Sequence, residues 1–389
     1  HHRAHTPMGR WDSRTLTGLE GCGGKVLPSG GGAGRVTGVG SACGLGPDMT
    51  DRKQDEERSG SETLGAAVVD APQSESPACV GQPFGAAFEP VLIGACEGRL
   101  GRITWFRADW QRGGALTGYA TYRDESEAER EVVVKLPVPP GERRWLVDLQ
   151  SSEHVAPKVH AHGEQLNGYD MAWVVMERLP HGPLGPQWQG AEFDLVTDAA
   201  GRFYAAASAV PLRGQPITRD WEALFDKARQ HVHDRSVPGQ QRWKEALKRA
   251  HRKLAGWISV WRDRPCVDWC HGDLHLGNAL SRDDPANGPP HGPAVLIDFA
   301  RTHRGCWVED AVYFEHLFWA NRSRLHGRKI CKAIAKARRD HGLTVDSDWA
   351  DVAAAMRGLY AVTTPARLHD EGDPHHLAAS LEVLEMAVA

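Results

Sequence analysis

The chain has 389 residues, a formal net charge of −4 and a pI near 6.6. That length can bury one large core or two lobes without covalent staples, and the near-neutral balance excludes the bulk electrostatic attraction that nucleic-acid binding calls for. No apolar run approaches the ~20 residues needed to span a membrane, and residues 1–10 lack the apolar core of a secretory signal. The cysteines (Cys22, Cys43, Cys79, Cys96, Cys266, Cys270, Cys306 and Cys331) form no C-x-x-C pair, so reduced thiols and a cytoplasmic protein are expected.

Residues 1–48 are rich in glycine and lack apolar periodicity. Gly30-Gly31-Gly32-Ala33-Gly34 and Gly38-Val39-Gly40 imitate phosphate loops but have no strand before them and no helix after. This stretch is expected to be disordered. Met49-Thr50-Asp51-Arg52-Lys53 reads as a natural translation start, which native peptides from upstream of Met49 would refute. Residues 51–83, with Pro72, Pro77 and Pro83, read as a polar tail.

Order is predicted to begin near residues 84–91. Residues 103–107 and 115–122 form a predicted hairpin around the turn Gln111-Arg112-Gly113-Gly114. Residues 131–137 are a β-branched strand that ends Lys135-Leu136-Pro137. A lysine in such a run is costly to bury without a partner, so Lys135 either snorkels at an edge or meets an anion. The next helix, 141–150, carries the stripe Trp145, Leu146, Leu149, with Glu142 in the first turn, where the helix dipole favours an acid. Strands follow at 159–163 and 171–176. His160 and His162 share a strand face but have no third ligand nearby and read as surface histidines.

After Gly182 the pattern becomes helical: 193–209, 221–233 (capped by Thr218 or Asp220) and 240–262. In the last of these Trp243, Leu247, Ala250, Leu254, Trp257, Ile258 and Trp261 fall on one stripe and read as core. This helix leads into Cys270-His271-Gly272-Asp273-Leu274-His275-Leu276-Gly277-Asn278, and the apolar run Ala294-Val295-Leu296-Ile297 then delivers Asp298-Phe299. An Asp followed four residues later by Asn is common and usually caps a turn. Followed by a buried strand ending in a second Asp, it has the spacing of a kinase catalytic loop and metal-binding carboxylate. Phosphoryl transfer needs an aimed hydroxyl and neutralised phosphate charge, and hard oxygen donors suit Mg2+. Cys266, Cys270, His271 and Cys306 fit no common zinc spacing. The polar stretch 283–290 reads as the turn between the two strands that carry Asn278 and Asp298.

These motifs, with Gly305 and Glu309-Asp310-Ala311-Val312, resemble the aminoglycoside phosphotransferase and choline-kinase-like superfamily over residues 99–389. The resemblance implies an α+β, bilobal protein-kinase-like fold. A disordered extension would cover 1–83, a nucleotide-binding lobe with a small antiparallel sheet 84–180, and a largely helical catalytic lobe 181–389. It implies ATP, or GTP, with Mg2+ as cofactors, and a small-molecule hydroxyl as acceptor. In these terms Asp273 is the base, Asn278 and Asp298 hold the metal, and Lys135 contacts the phosphates. Glu142 positions Lys135, with Asp148 and Glu153 as rivals. Gly113 and Gly114 cover the phosphates, and the backbone near Glu177 and Leu179 meets the adenine. His271 and Asp310 give structural support, though Asp310 reads equally as a first-turn acid. Ala300 departs from the family pattern of a glycine or acid after Asp298-Phe299. No Ala-Pro-Glu signature follows, which argues against a protein kinase. Two other readings are a nucleotide-binding pseudokinase and a metal-dependent hydrolase using His271, Asp273 and His275.

The remaining helices are predicted at 308–319, with Tyr313 and Phe314 in the core, then 326–339, 348–368 and 374–386. Arg328, Lys329, Lys332, Lys336, Arg338 and Arg339 read as a solvated face. In the resembled enzymes, acids in this region neutralise substrate ammonium groups; here Asp370-Glu371-Gly372-Asp373 serves equally well as a helix cap.

Overall fold

The computed structural model describes residues 82–106, 115–185, 190–235, 237–283, 292–367 and 374–389. Nearly all of the expected extension 1–83, the turn glycines Gly113 and Gly114, and Asp370-Glu371-Gly372-Asp373 lie outside the described residues.

The N-terminal part is a sheet flanked by helices. Helix α1 (Gln82–Ala95) precedes β1 (Thr104–Phe106), β2 (Leu116–Arg123) and β3 (Glu129–Leu136); α2 (Pro140–Asp148) precedes β4 (Val159–Gly163) and β5 (Trp173–Glu177). The strands lie in the order β1-β2-β3-β5-β4, all antiparallel, with a register shift in β4 between Val159 and Ala161. Side chains alternate across a strand. Val132, Val134 and Leu136 therefore enter a core with Leu92, Ile103, Tyr122 and Val175, while Lys135 faces the other way, toward α2. Sequence periodicity did not disclose α1, because Pro90 inside it is ordinarily a stop signal.

The C-terminal part is mostly helical. It contains α3 (Ala191–Ala207), α4 (Trp221–Asp234), α5 (Gln240–Asp263), α6 (Val308–His316), α7 (Ile330–Asp340), α8 (Trp349–Arg367) and α9 (Pro374–Val388). Two small antiparallel pairs are set among them: β6 (Asp268–Cys270) with β9 (His303–Gly305), and β7 (Ala279–Ser281) with β8 (Ala294–Leu296). A second core unites the helices. The α5 stripe supplies buried Trp243, Leu247, Ala250, Leu254 and Trp261, with Trp257 and Ile258 half-buried at its margin. Asp220 caps α4, accepting from the Ala223 N–H at 2.9 Å. Among the described residues no helix is long and apolar enough to cross a membrane.

The basic run in α7 is not a uniform solvated face. Arg338 is 3% exposed; its Nη2 donates to Asp268 Oδ1 at 2.9 Å, and its guanidinium lies 5.2 and 5.5 Å from the rings of Tyr204 and Trp307. Helical spacing explains this: Ile330, Ile334 and Arg338 share the apolar side at four-residue intervals. Arg328 is bonded to Asp194 at 2.8 and 3.1 Å, whereas Lys336 stays exposed beside Asp340. The helix predicted at 308–319 ends at His316, and a 3-10 segment continues from Trp319 to Leu325.

Candidate active site

Lys135 and Glu142 meet across β3 and α2, with Nζ 2.6 Å from Oε1. Of the rival acids, Asp148 lies 3.6 Å from Arg144 and Glu153 is exposed. Glu142 is 2% exposed, and its Oε2 has no hydrogen-bond partner among the described residues. Burial pushes the Glu142 carboxyl up; Lys135 opposes this, and the charge of Asp298 adds to it. Asp298, 156 positions further along the chain, is therefore within electrostatic reach of the Lys135–Glu142 pair.

The loop between β6 and β7 is pinned from α6. Asp310, in the first turn of α6, accepts from His271 N (2.7 Å), Gly272 N (2.8 Å) and the Tyr204 hydroxyl (3.0 Å). His271 is fully buried. Its Nε2 donates to Ile297 O at 3.1 Å, and its Nδ1 accepts from Asp273 N at 3.3 Å. Both ring nitrogens are thus engaged with backbone, which removes His271 from the ligand set of the hydrolase reading. Gly272 has φ +81°, and a Cβ there would stand 2.2 Å from Arg301 O. Gly272→Ala is therefore expected to destabilise the protein by about 2 kcal/mol or more, read as a lower denaturant midpoint at unchanged slope.

Asp273 is half-buried, and Tyr313 donates to its Oδ1 at 2.6 Å. Tyr313 has no motif to announce it; its only signal is its place three residues after Asp310, on the same face of α6. His275 Nδ1 accepts from Gly277 N at 2.9 Å, which leaves the proton of the neutral ring on Nε2, 3.6 Å from Asp273 Oδ1. Burial holds the His275 pKa below its ordinary value against the pull of Asp273.

Asn278 Nδ2 donates to Asp273 O at 2.9 Å, so its Oδ1 is free to accept. Ile297 N donates to Asn278 O at 3.0 Å, and β7 pairs β8 at Ala279 and Leu296. These bonds bring Asn278 and Asp298 to the same end of one two-stranded ladder. Asp298 has φ 64° and ψ 63°, a left-handed conformation that Asp tolerates better than most residues. Its carboxylate makes no hydrogen bond or ion pair among the described residues. Two oxygen donors uncommitted among the described residues, at one ladder end, fit a hard divalent cation.

Glu177 and Leu179 stand at the end of β5. The Glu177 carboxylate is bound by Arg282 (2.5 and 3.1 Å) and by Lys158 N (3.1 Å), and its N–H donates to Lys158 O. The N–H of the buried Leu179 has no partner among the described residues.

Behind the loop lies a buried charge network. Arg264 Nε donates to Glu309 Oε1 at 2.7 Å, and His303 Nε2 lies 3.5 Å from Glu309 Oε2. Among the described residues Cys270, His303 and Glu309 form the one trio of potential metal ligands within 4.8 Å of each other. A metal would need a thiolate and a free carboxylate. Burial pushes the Cys270 thiol far up, it donates to Cys306 O, and Arg264 already holds Glu309, so this is an ion-pair network rather than a metal cage. His303 is pushed down by burial but raised overall by the Glu309 carboxylate 3.5 Å away. The stabilising effect of this ion pair is therefore complete below the ordinary histidine pKa of about 6.5 and lost as pH rises through the higher folded value. NMR titration should find the His303 midpoint above that of a free histidine, and His303→Asn should remove this part of the alkaline fall in stability.

A model of the phosphotransferase enzyme family matches residues 116–329. Among solved structures, an aminoglycoside phosphotransferase from Alicyclobacillus acidocaldarius subsp. acidocaldarius DSM 446 superposes with a TM-score of 0.51 at 16% identity, covering 81% of this chain and 94% of that one. A protein from Ralstonia eutropha JMP134, provisionally assigned as an aminoglycoside phosphotransferase, gives a TM-score of 0.50 at 16% identity, covering 78% and 96%. No curated protein matches the chain. The α+β, bilobal protein-kinase-like fold expected from the motifs is the fold of this molecule.

Proposed function

The chain belongs to the phosphotransferase enzyme family, and on that premise we propose that it transfers the γ-phosphoryl group of ATP to a hydroxyl of a small molecule. The observation that carries this reading is the shared ladder end of Asn278 and Asp298. It lies one hydrogen bond from Asp273 and within electrostatic reach of the Lys135–Glu142 pair. Lys135 binds the nucleotide phosphates, and Glu142 holds its ammonium in place. The N–H of Leu179 meets the edge of the adenine; Gly113 and Gly114, which the resemblance assigns to the phosphates, lie outside the described residues. Asn278 Oδ1 and the Asp298 carboxylate hold Mg2+, whose charge neutralises phosphate oxygens when it is bound. Asp273 orients the acceptor hydroxyl and takes its proton, while Tyr313 and His275 fix the direction of the carboxylate. GTP would use the same phosphate contacts.

Incubation of the full chain with ATP, Mg2+ and a panel of alcohols tests this, following ADP release together with the phosphorus NMR spectrum. The expected product is a new phosphate monoester of one alcohol class. ATP that is bound but never converted to an ester would favour the pseudokinase reading.

A further inference from the structure

A group of nitrogen donors without acceptors among the described residues lies along α6 from Tyr313, the residue whose hydroxyl touches Asp273. Starting from Tyr313, the next turn of α6 carries His316, whose ring lies 5.4 Å from that of Tyr360 on α8. Tyr360 in turn faces two guanidiniums, Arg367 at 5.3 Å and Arg219 at 5.7 Å, and both also flank the ring of Trp221, at 5.4 and 5.6 Å. Neither guanidinium makes a hydrogen bond or ion pair among the described residues. Among the described residues Arg367 Nη2, Trp221 Nε1 and His316 Nδ1 are all buried without a hydrogen-bond partner.

The nearby acids are committed elsewhere. Glu315 is bound by Arg357 at 2.6 and 2.8 Å, and Asp220 caps α4. The charges that act on His316 are those of His376, Arg367 and Arg219, all cationic or potentially so. Burial and the neighbouring Arg219 bring Arg367 down to about 10. A desolvated guanidinium without an anion is unfavourable, and two side by side are more so. Arg219, Arg367, His316 and His376 nevertheless each keep part of their surface open. A forked donor of this kind matches the oxygens of a carboxylate or phosphate.

The geometry points to Arg219 and Arg367 as the recognition site for an anionic oxygen group, carboxylate or phosphate, on the acceptor alcohol. The acceptor class is thus a hydroxy acid or a phosphorylated alcohol rather than a polycationic one. The phosphotransferase reading supplies the reaction; the anion site stands on the arginines themselves.

The test uses the full chain with nitrogen-15-labelled arginine, saturated with AMP-PNP and Mg2+. Acetate and inorganic phosphate are titrated separately, with tetramethylammonium chloride as the control. The Nε signals of Arg219 and Arg367, assigned with Arg219→Gln and Arg367→Gln, should shift saturably with one or both anions and stay still with the control. The anion that acts distinguishes a carboxylate from a phosphate site. Shifts no larger than those of the surface residue Arg252 would overturn the proposal. So would anion binding that appears only after Asp370→Asn, Glu371→Gln and Asp373→Asn are combined, because the arginines would then be partnered by the chain itself.

In the ADP-release assay glycerate and glycerol phosphate should outperform glycerol and aminopropanol. Arg367→Gln should raise KM for the anionic acceptor by about 10- to 100-fold with a smaller change in kcat. Preference for aminopropanol would overturn the anion site and leave the phosphotransferase reading intact. Arginine shifts without turnover of any alcohol would count against that reading and not against the site.

Discussion

Asp273→Ala is expected to lower phosphoryl transfer by about 10²–10⁴-fold while nucleotide binding is retained. The loop that carries Asp273 is held by Asp310 and His271 through backbone bonds, so its path does not depend on the Asp273 carboxylate. What that carboxylate touches is the Tyr313 hydroxyl at 2.6 Å and, more distantly, His275. Truncation leaves the phenol without its acceptor, at a cost of about 1–3 kcal/mol. Asp273→Asn separates this loss from the loss of the base. The amide oxygen still accepts from Tyr313, yet the side chain takes no proton, so turnover should fall with little change in stability. Steady-state ADP release and calorimetric nucleotide titration measure the two effects. Unchanged turnover in both variants would reject Asp273 as the base.

Arg264→Ala is expected to destabilise the fold by about 3–5 kcal/mol, because it takes from the buried Glu309 its guanidinium partner and leaves His303 to offset the charge. The side chains of Arg264 and Glu309 are only 3% and 8% exposed. Arg264 also donates to Trp261 O (2.6 Å) and Ile217 O (3.0 Å), and its guanidinium lies 3.4 Å from the ring centre of Trp261. It therefore ties the end of α5 to the start of α6, the helix that holds the loop carrying Asp273. Arg264→Met combined with Glu309→Gln should cost less than Arg264→Ala alone, since removing both charges removes the unpaired ion. Urea denaturation of the single and paired variants decides this. Additive losses would show that the two charges are not coupled.

The parts of this molecule that could be read from its sequence are those with a local signature. A lysine inside the β-branched run of β3 marked Lys135 as a side chain in need of an anion. The apolar stripe of α5 gave its buried face, and the spacing of Asp273, Asn278 and Asp298 marked the stretch that one small ladder brings together. What stayed hidden depends on contacts between distant positions. Tyr313 reaches Asp273 across 40 residues, Arg264 reaches Glu309 across 45 and Arg338 reaches Asp268 across 70. None of these pairs has a spacing rule, and Arg338 sits in a run of like charges that ordinarily marks a wet surface. Helix α1 was obscured for a different reason, because Pro90 breaks the helical signal without breaking the helix.

Helix α6 is only nine residues long, yet within it Glu309 grips Arg264, Asp310 holds two loop amides and Tyr313 steers the Asp273 carboxylate. Three grips on one rigid rod cannot be loosened independently: a tilt that relaxes one slackens all. Damage at these positions should therefore be sub-additive, with a second substitution adding little once the first has freed the rod. Because His316 ends the same rod, pressure from an arriving acceptor at that end would register at Asp273 without any wire of intervening side chains.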